Sequence, residues 1–500
     1  MGAKAIMIQG TMSGAGKSLL VAGLCRVLAQ DGLRVAPFKS QNMALNSAIT
    51  REGLEMGRAQ AMQAEAAGIE PLAIMNPILL KPTSDTGSQV IVRGKPVATM
   101  PAREYFAFKR TLTDQIMSAY RELADDYDVI VIEGAGSPVE LNLKRDDIVN
   151  MGMAKMASSP VILVGDIDRG GVFAQLVGTM MLLDKDERDM VKATVVNKFR
   201  GDSALFDEGL RILREKCGVP VAGLIPYLNV DLDDEDSMSD RLGQRRQGSL
   251  LDVAVVRLPK ISNFTDFIAL DAMEGVSVRY VGLPSELSIP DLLIIPGTKA
   301  TMADLAWLRS SGLDIAIRRL ASAGVPVLGI CGGYQMLGEQ ILDPEGVEGG
   351  GQADGLGLLP VRTEFGTQKR TVLVEGSFDE VTGPLSTLSG KPFRGYEIHM
   401  GHSDAIGQPL VSTVDEDGTI TQGGCQKGNV YGCYVHGLFD RPEVTQAVVA
   451  ALLARKGLDA SAVKAIDMKA YRQRQYDVLA DGIRANMDMR LVHRIIEEGM

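Results

Sequence analysis

Residues 4–18, Lys-Ala-Ile-Met-Ile-Gln-Gly-Thr-Met-Ser-Gly-Ala-Gly-Lys-Ser, read as a buried strand that runs into a glycine loop and ends on Lys17-Ser18. The apolar spacing of Leu19–Gln30 then continues as a helix. Strand, glycine loop and helix in that order are the context of a phosphate loop, because free N–H groups at a helix amino terminus face an anion. Gly14 and Gly16 let the backbone turn those groups inward, Lys17 neutralises phosphate oxygens, and the Ser18 hydroxyl suits Mg2+. Such a loop puts a nucleotide at the carboxyl edge of an open α/β sheet.

The next 200 or so residues fit that sheet. Val35–Phe38, Val129–Glu133, Pro160–Gly165 and Ala193–Asn197 are strand candidates beside Lys4–Gln9, and Leu54–Ala67 and Tyr105–Asp125 read as helices. The alternation predicts βαβ units around a mostly parallel sheet over residues 1–228. A Mg2+-nucleotide site also wants a carboxylate at a neighbouring strand end, where Glu133 is the first choice and Asp166 the second. Asn197 stands at another strand end, where its amide could read a purine edge or simply make a turn.

Residues 229–250 are polar, acidic and then basic, without apolar periodicity, and read as a linker. The run Asp231–Asp240 is taken as its solvated face. A second α/β domain is expected over 251–442, with strands Leu251–Arg257, Asp291–Ile295, Val325–Ile330 and Val430–Val435, and helices Ala303–Ser311 and Asp314–Gly324. Residues 443–500 read as a helical extension.

Inside this second domain, Gly329-Ile-Cys-Gly-Gly333 sets Cys331 between a buried strand and a helix, the cysteine form of a nucleophile elbow. The helix amino terminus favours a thiolate, and the N–H of Gly332 with a backbone donor at Gly297 would hold an oxyanion. Of four histidines, His436 follows a strand and is the best placed base. His493 lies in the terminal helical region, and His399 and His402 fall in the dense motif RGYEIHMGHS, to which no task is assigned.

Composition narrows the class. The 500 residues are 45% hydrophobic and 23% charged, as in a globular chain. A net charge of −11 argues against a general nucleic-acid or anionic-membrane surface. The five cysteines are scattered with no CxxC, so neither a disulfide framework nor a zinc site is signalled. No signal-peptide layout opens the sequence and no apolar run approaches membrane-spanning length, which predicts a soluble cytoplasmic protein.

A thiol that attacks an amide, joined to a nucleotide site that can phosphorylate, describes a glutamine-dependent amide ligase: ammonia released at Cys331 would displace phosphate from an acyl phosphate. The spacing Gly10 to Gly16, one residue longer than GxxxxGK, resembles the dethiobiotin synthetase type of loop. Further, PFKSQNMALNS (37–47), GRAQAMQAEAAG (57–68), MNPILLKP (75–82), VIEGAGSPVELNL (131–143), DIDRGGVFAQL (166–176), NKFRGD (197–202), GICGGYQMLG (329–338), GYEIHMGHS (395–403) and YVHGLFD (434–440) resemble the cobyric acid synthase family essentially end to end.

The resemblance implies a dethiobiotin synthetase-like P-loop domain, a class I-type glutamine amidotransferase α/β domain and a helical carboxy-terminal tail. It also implies ATP- and glutamine-dependent amidation of the b, d, e and g carboxylates of adenosylcobyrinic acid a,c-diamide in adenosylcobalamin synthesis. Cys331 and His436 carry over as the glutaminase pair. The glutamate that commonly lies two residues after that histidine is here Leu438, so the site is a dyad or draws on Glu397 or Asp440. Lys39, Gln41, Asn42, Asn46 and Lys81, polar residues in loops after apolar stretches, are candidates for holding the polyanionic corrinoid. The neighbouring enzyme readings are a cobyrinic acid a,c-diamide synthase or another glutamine-dependent carboxylate amidase. A nucleotide-driven partitioning switch fits less well, since Met12 stands where that type has its signature lysine and a switch has no use for Cys331. The resemblance leaves a homo-oligomer open.

Overall fold

Short β-branched runs buried on both faces make the central strands of two separate sheets, as expected where helices cover each side. The computed structural model describes residues 2–83, 87–232, 248–414, 418–464 and 466–500; positions 233–247 of the expected linker lie outside the described residues. In the first domain β1 (Lys4–Gly10), β2 (Val35–Phe38), β3 (Val129–Glu133), β4 (Val161–Asp166), β5 (Val191–Phe199) and β6 (Val221–Pro226) form one parallel sheet in the order β6-β5-β4-β1-β3-β2. The register sets Gly10 against Val164, Ile8 against Glu133 and Asp166 against Asn197, so these strand ends meet at one edge.

The second sheet contains β7 (Leu251–Val256), β8 (Val276–Val281), β9 (Leu292–Ile295), β10 (Val327–Ile330), β11 (Cys425–Lys427) and β12 (Val430–Cys433), ordered β8-β7-β9-β10-β12-β11, with only the β11–β12 pair antiparallel. Here Ile295 pairs with Gly329 and Ile330 with Cys433, which again gathers the carboxyl ends.

The structure departs from the sequence reading in several places. Within Leu54–Ala67 only Arg58–Ala66 is helical, because Glu55–Gly57 pairs as a strand with Ser47–Ile49. Tyr105–Asp125 breaks into helices Ala102–Lys109 and Thr113–Asp126 around a 3-10 turn at Arg110–Leu112. A third, largely antiparallel sheet, built on the hairpin of Val361–Phe378 with Pro392–Ala405, lies between β10 and β12 in the chain and was not anticipated.

The carboxy-terminal segment divides between the two bodies. Helix Pro442–Arg455 buries Val444, Val448 and Leu452 in the core of the second sheet. Helices Met468–Asn486 and Met489–Glu498 return to the first: Tyr476, Leu479 and Ile483 lie in the same core cluster as the helix Lys17–Gln30, which the longer helix packs against, while the last helix, with Val492, Ile495 and Ile496, lies against β1 and β6. Gly23 allows this approach, since a Cβ there would collide with Ile483. The phosphate-loop helix therefore has its outer face covered by the last residues of the chain. Truncating Ile483 to Ala should destabilise the first domain by about 2–5 kcal/mol, the usual range for a buried Ile→Ala, read as an earlier thermal unfolding transition of the full chain.

Two candidate active sites

β1 ends on Gly10, and the helix Lys17–Gln30 starts after Gly16. Gly14 and Gly16 take φ of 72° and 87°, the left-handed region that favours glycine. Lys17 lies across the loop with Nζ donating to the Met12 carbonyl at 3.0 Å and the Gly136 carbonyl at 3.3 Å. These backbone carbonyls hold the ammonium across the loop, where an anion would meet it.

Next to it, the Ser18 hydroxyl donates to Glu133 at 2.8 Å. Glu133 is buried and also accepts from Lys39 (2.9 Å), Gln60 (3.2 Å) and Gln63 (2.5 Å). Burial alone would raise this carboxyl, but the Lys39 charge and the bonds from Gln63, Lys39 and Ser18 hold it below the ordinary value. Ser18 and Glu133 are hard oxygen donors side by side, which fits Mg2+ completed by phosphate oxygens. Among the described residues no cluster of three or more His, Cys, Asp or Glu side chains forms a metal site on its own.

Asp166 and Asn197 have other tasks than those expected of them. Asp166 accepts from the Asp168 N–H (2.8 Å) and pairs with Lys198 (3.1 Å), whose ammonium also donates to the Gly14 carbonyl. Asn197 Nδ2 donates to the Ala15 carbonyl at 2.9 Å, beneath the loop. Through these contacts both residues brace the phosphate loop from behind.

In the second domain Cys331 sits at φ 52°, ψ −112°, between β10 and the short helix Gly332–Leu337. This strained conformation at a non-glycine residue is the elbow geometry. The flanking glycines are required by space, since a Cβ at Gly333 would strike the Ile295 carbonyl and one at Gly329 would lie 2.8 Å from Tyr334 N. Gly332 lies against Thr298, and a Cβ at Gly297 would come within 2.9 Å of His436 Cε1. Both proposed oxyanion positions thus border the thiol and its base.

His436 is fully buried and its Nδ1 shares a 2.7 Å hydrogen bond with Asp266 Oδ2, while Gly437 N–H donates to Asp266 Oδ1 at 3.1 Å. Burial opposes the imidazolium, but the Asp266 charge and hydrogen bond, helped by Cys331, push His436 up to about 10. With Nδ1 committed to the carboxylate, Nε2 is left for the Cys331 side. Asp266 is the third member of the site. Neither sequence candidate is: Glu397 pairs with Arg370 at 2.5 Å, and Asp440 with Arg472 at 3.1 Å.

The motif RGYEIHMGHS now has a position. Tyr396 stacks on His436 with ring centroids 5.2 Å apart, the Ile398 carbonyl faces Cys331 Sγ at 3.7 Å, and His399 stacks on Tyr434 at 3.7 Å. His402 pairs with Asp404 at an exposed position, and His493 pairs with Asp31. Cys331 opens on a small cavity of about 40 Å³ that is also lined by Lys299, Thr301, Glu348 and His399 and reaches Lys81 of the first domain.

The five corrinoid candidates do not form one site. Lys39 belongs to Glu133, Asn42 donates to Gln60 at 3.0 Å, and Asn46 is buried. Lys81 pairs with Glu55 at 2.8 Å, next to a 2.5 Å pair of Glu55 with Lys369 from the second domain. Gln41, bonded by the Tyr105 hydroxyl, alone of the five lines a larger cavity beside the phosphate loop.

Residues 6–237 match the family model of the CobQ/CobB/MinD/ParA nucleotide binding domain, and residues 252–444 that of the CobB/CobQ-like glutamine amidotransferase domain. A cobyric acid synthase from Ruminiclostridium cellulolyticum is 55% identical over 100% of this chain and 98% of its own length. One from Lachnoclostridium phytofermentans is 53% identical over 100% of both, and one from Photorhabdus laumondii 50% identical over 98% of both.

Two outcomes are expected at the thiol site. Cys331→Ser should abolish glutamate release from glutamine while synthesis driven by added ammonia persists. Asp266→Ala should slow glutamine hydrolysis on the order of 100-fold or more, whereas Glu397→Gln and Asp440→Asn stay near wild type. Because Asp266 is what raises His436, its loss should also move the alkaline limb of the hydrolysis pH profile down from about 10.

Proposed function

Since the chain belongs to the cobyric acid synthase family, and so is a glutamine-dependent ligase that carries out amidation in cobalamin biosynthesis with use of ATP, we propose that its acceptor is adenosylcobyrinic acid a,c-diamide, amidated at the b, d, e and g carboxylates in the cytoplasm. The observation that carries this reading is the presence in one chain of a buried Cys331-His436-Asp266 array and a braced phosphate loop with a carboxylate at Ser18, over the whole length shared with the relatives.

Glutamine enters the Cys331 cavity, where Lys299 and Glu348 offer a cation and an anion for the α-carboxylate and α-ammonium of the free amino acid. The thiolate attacks the side-chain amide carbon, the backbone at Gly297 and Gly332 holds the oxyanion, and protonated His436 gives its proton to the departing ammonia. Asp266 keeps the ring in the orientation that presents Nε2 and stabilises its charge. Water then hydrolyses the glutamyl thioester, with His436 now acting as base.

At the other site the phosphate loop binds ATP; an acceptor carboxylate oxygen attacks the γ-phosphorus with ADP leaving to give an acyl phosphate, and ammonia attacks its carbonyl carbon with phosphate leaving to give the amide. Lys17 neutralises the transferred group. Ser18 and Glu133 would hold Mg2+, which would supply charge neutralisation at the phosphate oxygens. No helix among the described residues is long and apolar enough to cross a membrane.

Mass spectrometry of the acceptor incubated with protein, Mg-ATP and glutamine, each omitted in turn, tests the reading. Stepwise conversion of carboxyls to amides that needs both ATP and glutamine is expected; glutamine hydrolysis without conversion would assign a different acid substrate. Lys17→Ala should abolish ATP-dependent synthesis and spare part of the glutamine hydrolysis.

A further inference from the structure

A cavity of about 240 Å³ lies in the first domain, and nothing in the chemistry so far described occupies it. One wall is the loop through Ala135, Ser137 and Pro138. This loop follows Glu133, and its Gly136 carbonyl takes the ammonium of Lys17. A group seated against it is therefore next to the phosphate loop. The remaining lining is mainly apolar, and Met43, Phe106 and Leu143 stay exposed at the lip.

Into this apolar setting projects Lys109, the last residue of the helix Ala102–Lys109. It is only 8% exposed and has no hydrogen bond or ion pair among the described residues; its Nζ lies 5.1 Å from the Phe106 ring centroid. The other charged groups of the cavity are spoken for or lie at its rim. Lys144 pairs with Asp184 and Glu187, both at 2.7 Å. Asp147 accepts from the N–H groups of Val149, Asn150 and Gly152, and Glu140 is exposed. Burial lowers the Lys109 ammonium, with Asp147 and Asp146 working the other way. A buried cation without a partner is costly, and that cost is relieved by an anion entering the cavity.

We infer that Lys109 binds a carboxylate of the amidation acceptor, while the apolar walls and lip take the edge of its macrocycle. The inference rests on the functional reading above, of which it uses only the acceptor's polycarboxylate character. A whole tetrapyrrole-like ring exceeds this cavity, so one edge enters at a time and the arm nearest Ala135–Ser137 is the one offered to the phosphate loop. Lys109 acts in binding, so its loss falls on KM more than on kcat.

The test is equilibrium binding of adenosylcobyrinic acid a,c-diamide, followed by its visible absorbance, and steady-state amidation, for the wild type, Lys109→Met, Lys109→Gln and Lys109→Arg. Loss of a charge-assisted bond should weaken acceptor binding and raise its KM on the order of tenfold or more in the Met and Gln variants. Lys109→Arg should recover most of the affinity, which a purely structural role would not give. Wild-type turnover with unchanged acceptor binding in the Gln or Met variant overturns this inference alone. Failure of the wild type to bind or amidate the acceptor overturns the functional reading and the inference together.

Discussion

Parallel strand pairing is the constraint from which the rest follows. Strands that run the same way present all their carboxyl ends at one edge, and any loop that carries chemistry must emerge there. In the first sheet this brings Gly10, Glu133, Asp166 and Asn197 together from positions far apart in the chain. In the second it does the same for the segments after Ile295, Ile330 and Cys433, which lead to Gly297, Cys331 and His436. Burial on both faces leaves these strands with no polar face to choose a register by, so the loops and the helices that follow them have to complete the specification.

The two edges are joined by buried charge. Glu55 takes Lys81 from its own domain and Lys369 from the long hairpin of the other. Burial would raise the Glu55 carboxyl, but the two lysines hold it well below the ordinary range. Burial pushes Lys369 down to about 8, against the pull of Glu55. Ion pairs this deep add little net stability, but removing one partner strands the others, which favours a single docking of the two bodies. Lys81 and Lys369 also line the Cys331 cavity, so this cluster borders the thiol site.

Much of the local structure was legible. The four-residue to seven-residue strand runs, the glycine loop and the Gly-x-Cys-Gly-Gly elbow are short-range patterns with a physical cause inside a few residues, and their strands were located to within about two residues. The segment Glu55–Gly57 misread as helix because its composition suits one, while its pairing with Ser47–Ile49 depends on a tertiary contact that composition does not encode. The long hairpin of the third sheet was missed for the same reason: much of its polar sequence faces solvent or the site and carries little periodic apolar signal.

The sequence by itself singled out Cys331, His436, Lys17, Ser18 and Glu133, because each belongs to a motif whose spacing is local. Only the tertiary structure decided which carboxylate completes the thiol site. Asp266 lies 170 residues before His436, in the 3-10 turn Phe264–Phe267, and no spacing rule links the two. The fold brings that turn against the strand end that carries His436, where the buried carboxylate and imidazole meet at 2.7 Å. The same holds for Asp166 and Asn197, whose position at strand ends was readable but whose partners, Lys198 and the Ala15 carbonyl, are chosen by the packing of the loop above them.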